Sequence, residues 1–272
     1  MEFYQNEYIA DINKIRSRKT TITVLCIVFS VLTIVLASPS EIILMGRPLF
    51  IREGLNQPLW IIPAIILIWV LAFFAWNLVF LPITSSLLSE CDPKKYFALS
   101  SVFLKNFQRT SAYSTAYLFL GDFNNSVKYS NIIISLQKKQ FITNALYNKA
   151  LSEYFLGNYA EIKNTVNQYY AIGNTIKNKN SKKGKRYIKI QNVLTMLCAL
   201  ADDDTEKITK LIKVLTPYGN SYASDCILNF IKGVADFKTG DKKDCLYRMM
   251  FVKDAGCKTV FATLADNYLK QL

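Results

Sequence analysis

PLWIIPAIILIWVLAFFAWNLVFL, residues 58–81, runs for 24 positions without a charged side chain. A helix of that length, rising 1.5 Å per residue, covers the roughly 30 Å hydrocarbon layer of a bilayer. A second run, TTITVLCIVFSVLTIVLA at 20–37, is uncharged over 18 positions. Both read as spanning helices. They divide the 272 residues into a short N-terminal tail (1–19), a two-helix membrane hairpin with a short outer loop (20–81), and a soluble remainder.

The first run has a rival reading as a secretory leader, since Lys14, Arg16, Arg18 and Lys19 precede it and Val35-Leu36-Ala37 resembles a processing site. Its apolar stretch exceeds the usual length of about 7–15 residues, which favours the span. Basic residues are retained on the cytoplasmic side. The tail holds four, the loop between the runs only Arg47 and Arg52, and Lys94 and Lys95 follow the second run. The expected location is a multi-pass cell membrane, with the N-terminus and the large C-terminal domain both cytoplasmic. Trp60 and Trp76, near opposite ends of the second run, read as interfacial anchors, with Trp69 mid-bilayer. The 38–57 loop reads as a tight outer connection or a short interfacial element. The abundance of Ile, Lys and Asn suits an AT-rich bacterial genome.

Beyond Pro82 the pattern becomes amphipathic and helical, with short polar turns and no parallel-sheet signature. Helices are predicted near 93–105, 108–120, 123–137, 140–156, 159–171, 185–200, 204–216, 221–238, 241–253 and 259–270. Residues 82–105 form a linker and first helix. The turns at Gly121, Gly157, Asp202 and Gly240 are separated by 36, 45 and 38 residues, a helix-pair period. One such pair cannot bury its apolar face alone, whereas stacked pairs share a core.

Gly121-Asp122-Phe123 and Gly157-Asn158-Tyr159 carry a resemblance to the tetratricopeptide (TPR) family. Ala150 and Gly233 stand seven residues before turn glycines, as that family's pattern asks. The chain departs from it at Thr110, Leu146 and Asn229, and at Ser126, Ile162 and Cys245. The resemblance spans about 106–253 and implies an all-α fold: a membrane hairpin followed by a TPR-like α-solenoid over 106–272. It further implies a groove for a protein or peptide partner, lined by Gln108, Ser111, Thr115 and Leu118 and by Asn144, Tyr147, Leu151 and Tyr154. Tyr147 and Leu151 read equally well as ordinary packing residues. Phe261 to Leu272 reads as a capping helix.

The chain has no histidine, which removes imidazole triads and the commonest metal ligand. Cysteines at 26, 91, 198, 226, 245 and 257 form no CxxC pair and suit a reducing cytosol. Asp202, Asp203, Asp204 and Glu206 form the densest acidic group. Asp203 and Glu206 have capping-box spacing ahead of Ile208, so helix capping is expected there rather than a metal site. No catalytic residue, metal or cofactor is expected, and the chain does not read as an enzyme.

The net charge of +13 is concentrated at 177–189, where Lys177, Lys179, Lys182, Lys183, Lys185, Arg186 and Lys189 occur without an acid. This stretch reads as a basic loop near 173–189 interrupting the repeats. Its three readings are a solvated excursion, contact with anionic lipid head groups and, behind those, nucleic acid. The expected role of the whole chain is a membrane-anchored cytoplasmic scaffold or adaptor. The alternative is an accessory subunit of a transporter or other membrane complex, assembled through the hairpin.

Overall fold

The computed structural model describes the backbone of residues 2–37, 40–44, 47–52, 61–137, 141–173, 178–216, 221–256 and 258–272, and side chains within these except 2, 3, 34–52 and 61. Trp60, Lys177 and Cys257 lie outside the described residues. The described chain is helical apart from one short antiparallel pair: α1 (Glu2–Glu7), α2 (Ile9–Ala37), β1 (Ser40–Leu44), β2 (Arg47–Arg52), α3 (Ile61–Leu88), α4 (Pro93–Phe103), α5 (Asn106–Leu120), α6 (Phe123–Ser135), α7 (Ile142–Phe155), α8 (Tyr159–Gly173), α9 (Lys182–Ala201), α10 (Thr205–Val214), α11 (Tyr222–Thr239), α12 (Lys242–Ala255) and α13 (Val260–Leu269). The β pair falls in the segment read as a tight outer connection or a short interfacial element. Ser40 lies opposite Arg52 and Leu44 opposite Arg47, with a register irregularity at Ile42/Ile43. Its apolar, β-branched runs Ile42-Ile43 and Leu49-Phe50-Ile51 are those that favour strands.

Two compact units are present, one of residues Ile9–Pro82 and one of Met1–Tyr8 with Ile83–Leu272. In the first, α3 is long and apolar enough to cross a membrane, and its most apolar stretch is only 11% buried. Ile62, Phe73, Phe74 and Leu78 are more than 60% exposed, an arrangement a helix in water avoids. Among the described residues α3 alone meets this test. Lys14, Arg16, Arg18 and Lys19, expected in a tail, lie within α2, and the side chains that complete its apolar run lie beyond the described ones. The helix does not stop at Pro82, where the linker was expected to begin. It continues through Pro82 to Leu88.

The second unit follows the helix-pair punctuation. Gly121, Gly157 and Gly240 take φ of +82°, +73° and +83°, the left-handed conformation that ends a helix. Asp122, Asp204 and Asp241 then cap the next helix, each accepting from the backbone N–H three residues on at 3.1, 3.0 and 3.0 Å. The predicted cap Asp203 is thus displaced by one residue. It has φ +53° and pairs with Lys238. Consecutive helices pack on one another, and α13 also reaches α5. Phe261 of α13 is fully buried, with its ring 5.4 Å from Phe119, 5.8 Å from Phe155 and 5.6 Å from Phe230. The last helix therefore does more than cap the end of a row. Phe261→Ala is expected to lower stability by about 3–5 kcal/mol, read as a lower thermal midpoint of the full-length protein in detergent.

The N-terminal segment is tied into this unit. Tyr4 meets Phe97 edge-on at 6.0 Å, Gln5 donates to Ser101 Oγ at 3.0 Å, and Tyr8 donates to both oxygens of Asp92 at 3.2 and 3.0 Å. Buried Asp92 also caps α4, accepting from Lys95 N at 3.0 Å, and accepts from Lys258 Nζ at 2.6 Å. Burial alone would raise its carboxyl, but the bonds from Lys258, Lys95 and Tyr8 outweigh it and hold the carboxyl below the ordinary carboxylate range. Its folded pKa therefore lies under the unfolded value of about 3.9, so its contribution is complete above that pH and lost as pH falls further. Asp92→Asn is expected to cost about 1–2 kcal/mol at neutral pH and to flatten the acid loss of stability below about pH 4, measured as thermal midpoint against pH.

Candidate functional site

A cavity of about 790 Å³ lies within the second unit, inside the range of about 300–1,000 Å³ typical of ligand pockets. Its floor and one wall are apolar: Leu87 and Leu88 from the end of α3, Phe119 from α5, Ile190 from α9 and Ile227 from α11. Tyr96 contributes a phenol that burial pushes up to about 12, so it stays neutral. Part of the lining is cationic, built from Lys182, Lys185, Arg186 and Lys189.

These four cations belong to a helix that begins three residues before the predicted 185–200, which shortens the loop expected near 173–189. α8 runs to Gly173 and α9 begins at Lys182. Ser181 caps α9 by accepting from Gly184 N at 3.1 Å. Positions 182, 185, 186 and 189 are i, i+3, i+4 and i+7, so they share one face. Tyr187 sets which face that is. It is buried, stacks on Tyr169 with centroids 4.6 Å apart and planes 8° from parallel, and donates to Tyr169 O at 2.9 Å. Tyr169 donates back to Tyr187 O at 3.3 Å. The close approach of the two helices requires Gly173, since a Cβ there would stand 2.0 Å from the Tyr187 hydroxyl oxygen.

Amides and hydroxyls complete the lining. Asn148 donates to Ser114 Oγ at 3.0 Å and to Thr115 Oγ1 at 2.9 Å, and Arg186 reaches Asn144 Oδ1 at 3.4 Å. Ser221, which caps α11, and Ser224 of its first turn also line the cavity. Two helix N-termini thus face it, each the positive end of a macrodipole. No Asp or Glu is among the described residues that line it. Four cations without a lining carboxylate among the described residues make this part of the cavity electropositive.

The structure brings two separately predicted groups of residues together here. Thr115, Asn144 and Tyr147 from the expected groove line the same cavity as four residues of the expected basic patch. The others lie elsewhere. Leu118 and Leu151 are fully buried in the core, and Tyr154 packs on Phe155 and Tyr159 with centroids 5.6 and 6.1 Å apart. Gln108 is exposed and Ser111 half-buried, and Lys179 and Lys183 are exposed without lining the cavity. The helical spacing of 182, 185, 186 and 189 was the signal in the sequence that marks this face. Nothing local marked Thr84, Leu87, Leu88 or Ser224 as cavity residues, because α3 and α11 reach the cavity through tertiary packing.

The acidic group at 202–206 does not converge. Asp202 pairs with Lys163 at 2.8 Å, Asp203 with Lys238, Glu206 with Lys210, and Asp204 caps α10. Among the described residues no group of His, Cys, Asp or Glu is arranged to hold a metal. Comparison of the chain with protein-family models, curated proteins and solved structures finds no match.

Lys182 with Arg186 and Lys185 with Lys189 are like-charge i, i+4 pairs, each unfavourable by about 0.2–0.5 kcal/mol, and they sit at the end of the helix that disfavours cations. Lys185→Gln is therefore expected to raise stability by up to about 0.5 kcal/mol, seen as an unchanged or slightly higher thermal midpoint. A fall of more than about 1 kcal/mol would mean that the cation serves folding.

Proposed function

We propose that the chain is a membrane-tethered adaptor that holds an anion-bearing partner in the basic cavity of its helical domain. The observation that carries this reading is the convergence of Lys182, Lys185, Arg186 and Lys189 on one cavity wall without a lining carboxylate among the described residues. Like charges gathered at this spacing attract an anion. The lack of histidine and, among the described residues, of any group of three or more Cys, Asp or Glu arranged to hold a metal favours binding over catalysis. The helix-pair punctuation and the cavity-lining Thr115, Asn144 and Tyr147 support a TPR-like solenoid with a partner-binding groove.

The tether is read as a two-pass hairpin. Residues 1–8 fold with residues 83–272, so the chain leaves and re-enters the same unit around the intervening segment. A segment that starts and ends on one side of a bilayer crosses it an even number of times. With α3 as one crossing, α2 supplies the other, and the basic tail at 14–19 favours the cytoplasmic side for both termini.

Reporter fusions test the topology, with fluorescent protein at either terminus expected to fluoresce in the cytoplasm. Termini on opposite sides would remove the two-pass reading. Crosslinking and mass spectrometry from native membranes test the adaptor role, comparing the intact chain with Lys185→Glu/Arg186→Glu. Loss of a partner in the variant is the expected result. A partner retained by a chain ending near Pro82 would instead favour a membrane-complex subunit held by its hairpin.

A further inference from the structure

Resting on the reading of the cavity as an anion receptor, we infer that its ligand is a phosphate ester, presented either by the headgroup of a bilayer lipid or by a soluble phosphate compound. Charge density is the first reason. Lys182 and Lys189 are seven residues apart, so the four cations cover about 10 Å of helix, and Arg186 stands between them. A phosphate monoester concentrates about −1.5 to −2 charges and three acceptor oxygens at one point, whereas a carboxylate brings a single charge. Arginine grips such a group with its planar fork and lysine as a point charge.

The second reason is the donor set. The N-termini of α9 and α11 both border the cavity, and helix N-termini are ready-made phosphate sites because their N–H groups point outward at the positive end of the dipole. Asn148, with its amide fixed by Ser114 and Thr115, and Ser224 extend the polar lining without adding negative charge.

Size and setting supply the third reason. At about 790 Å³ the cavity is far larger than a phosphate ion, and Leu87, Leu88, Phe119 and Ile227 give part of its lining an apolar surface. The complement is an anion esterified to a carbon body. Leu87 and Leu88 end the same helix that is apolar enough to cross a membrane.

The test uses the purified full-length chain in neutral detergent, with binding measured for short-chain phosphatidic acid, inorganic phosphate and a hexaglutamate peptide. Phosphatidic acid is expected to bind, and Lys185→Gln/Arg186→Gln to weaken it by about 25-fold, roughly fivefold per lost cation. The matched pair Lys242→Gln/Lys243→Gln, on the exposed start of α12, is expected to leave binding unchanged, and Lys185→Arg to retain it. Thermal midpoints of every variant separate loss of binding from loss of fold. Inorganic phosphate competing as well as phosphatidic acid would support the inference with a soluble source, and much tighter lipid binding would support it with a headgroup source. Hexaglutamate binding more tightly than both, with loss in the cavity variant alone, would overturn the phosphate and leave the adaptor reading standing. Equal responses of the two double variants to every probe would overturn both.

Discussion

The carboxylate of Asp92 is the constraint on which the domain depends, because a buried charge persists only where donors surround it. Its donors come from three separated parts of the chain: Tyr8 before α2, Lys95 in the first turn of α4, and Lys258 just ahead of α13. Satisfying one side chain therefore fixes the N-terminal segment, the joint after α3 and the approach to α13. From there the order propagates through Phe261, which rests on rings from α5, α7 and α11. Both nodes are long-range, so neither forms until most of the domain has assembled.

The cavity is organised on the opposite principle. Where Asp92 is surrounded by compensating donors, the basic face of α9 gathers like charges along one side of a helix. The rigidity that makes this possible comes from the other side of the helix, where Tyr187 and Tyr169 exchange hydrogen bonds across stacked rings. Burial raises both phenols above their ordinary value, so neither ionises near neutrality to disturb the face. The basic face proposed to take an anion and the face that packs α9 into the fold are thus different faces of one helix.

Much of this was legible in the sequence wherever the governing interaction is local. Turn glycines with a left-handed φ, aspartates one residue later and the helical period of apolar residues placed most helices to within a few residues. The uncharged run at 58–81 marked α3. Legibility ended where tertiary contacts decide. A lysine-rich segment looks like a solvated loop until Tyr187 is known to be buried beneath it, and Leu118 and Leu151 look like groove residues until the core closes over them. The capping box was misplaced by one residue because Asp202, Asp203 and Asp204 are interchangeable by composition. Only the backbone, with Asp203 at positive φ, distinguishes them. The site itself was half visible: Thr115, Asn144 and Tyr147 on one side and the basic patch on the other, with no local signal that they face the same space.

The clasp of residues 1–8 has a consequence for biogenesis. Tyr8 is made early, yet its acceptor Asp92 follows 84 residues later, and Lys258 comes a further 166 residues after that. At synthesis rates of about 5–20 residues per second, the N-terminal segment waits roughly 4–17 s for the first of these partners and longer for the second. During that interval the whole of Ile9–Pro82 emerges between the two halves of one unit. Tyr8 therefore leaves the ribosome well before the partners that fix its native place.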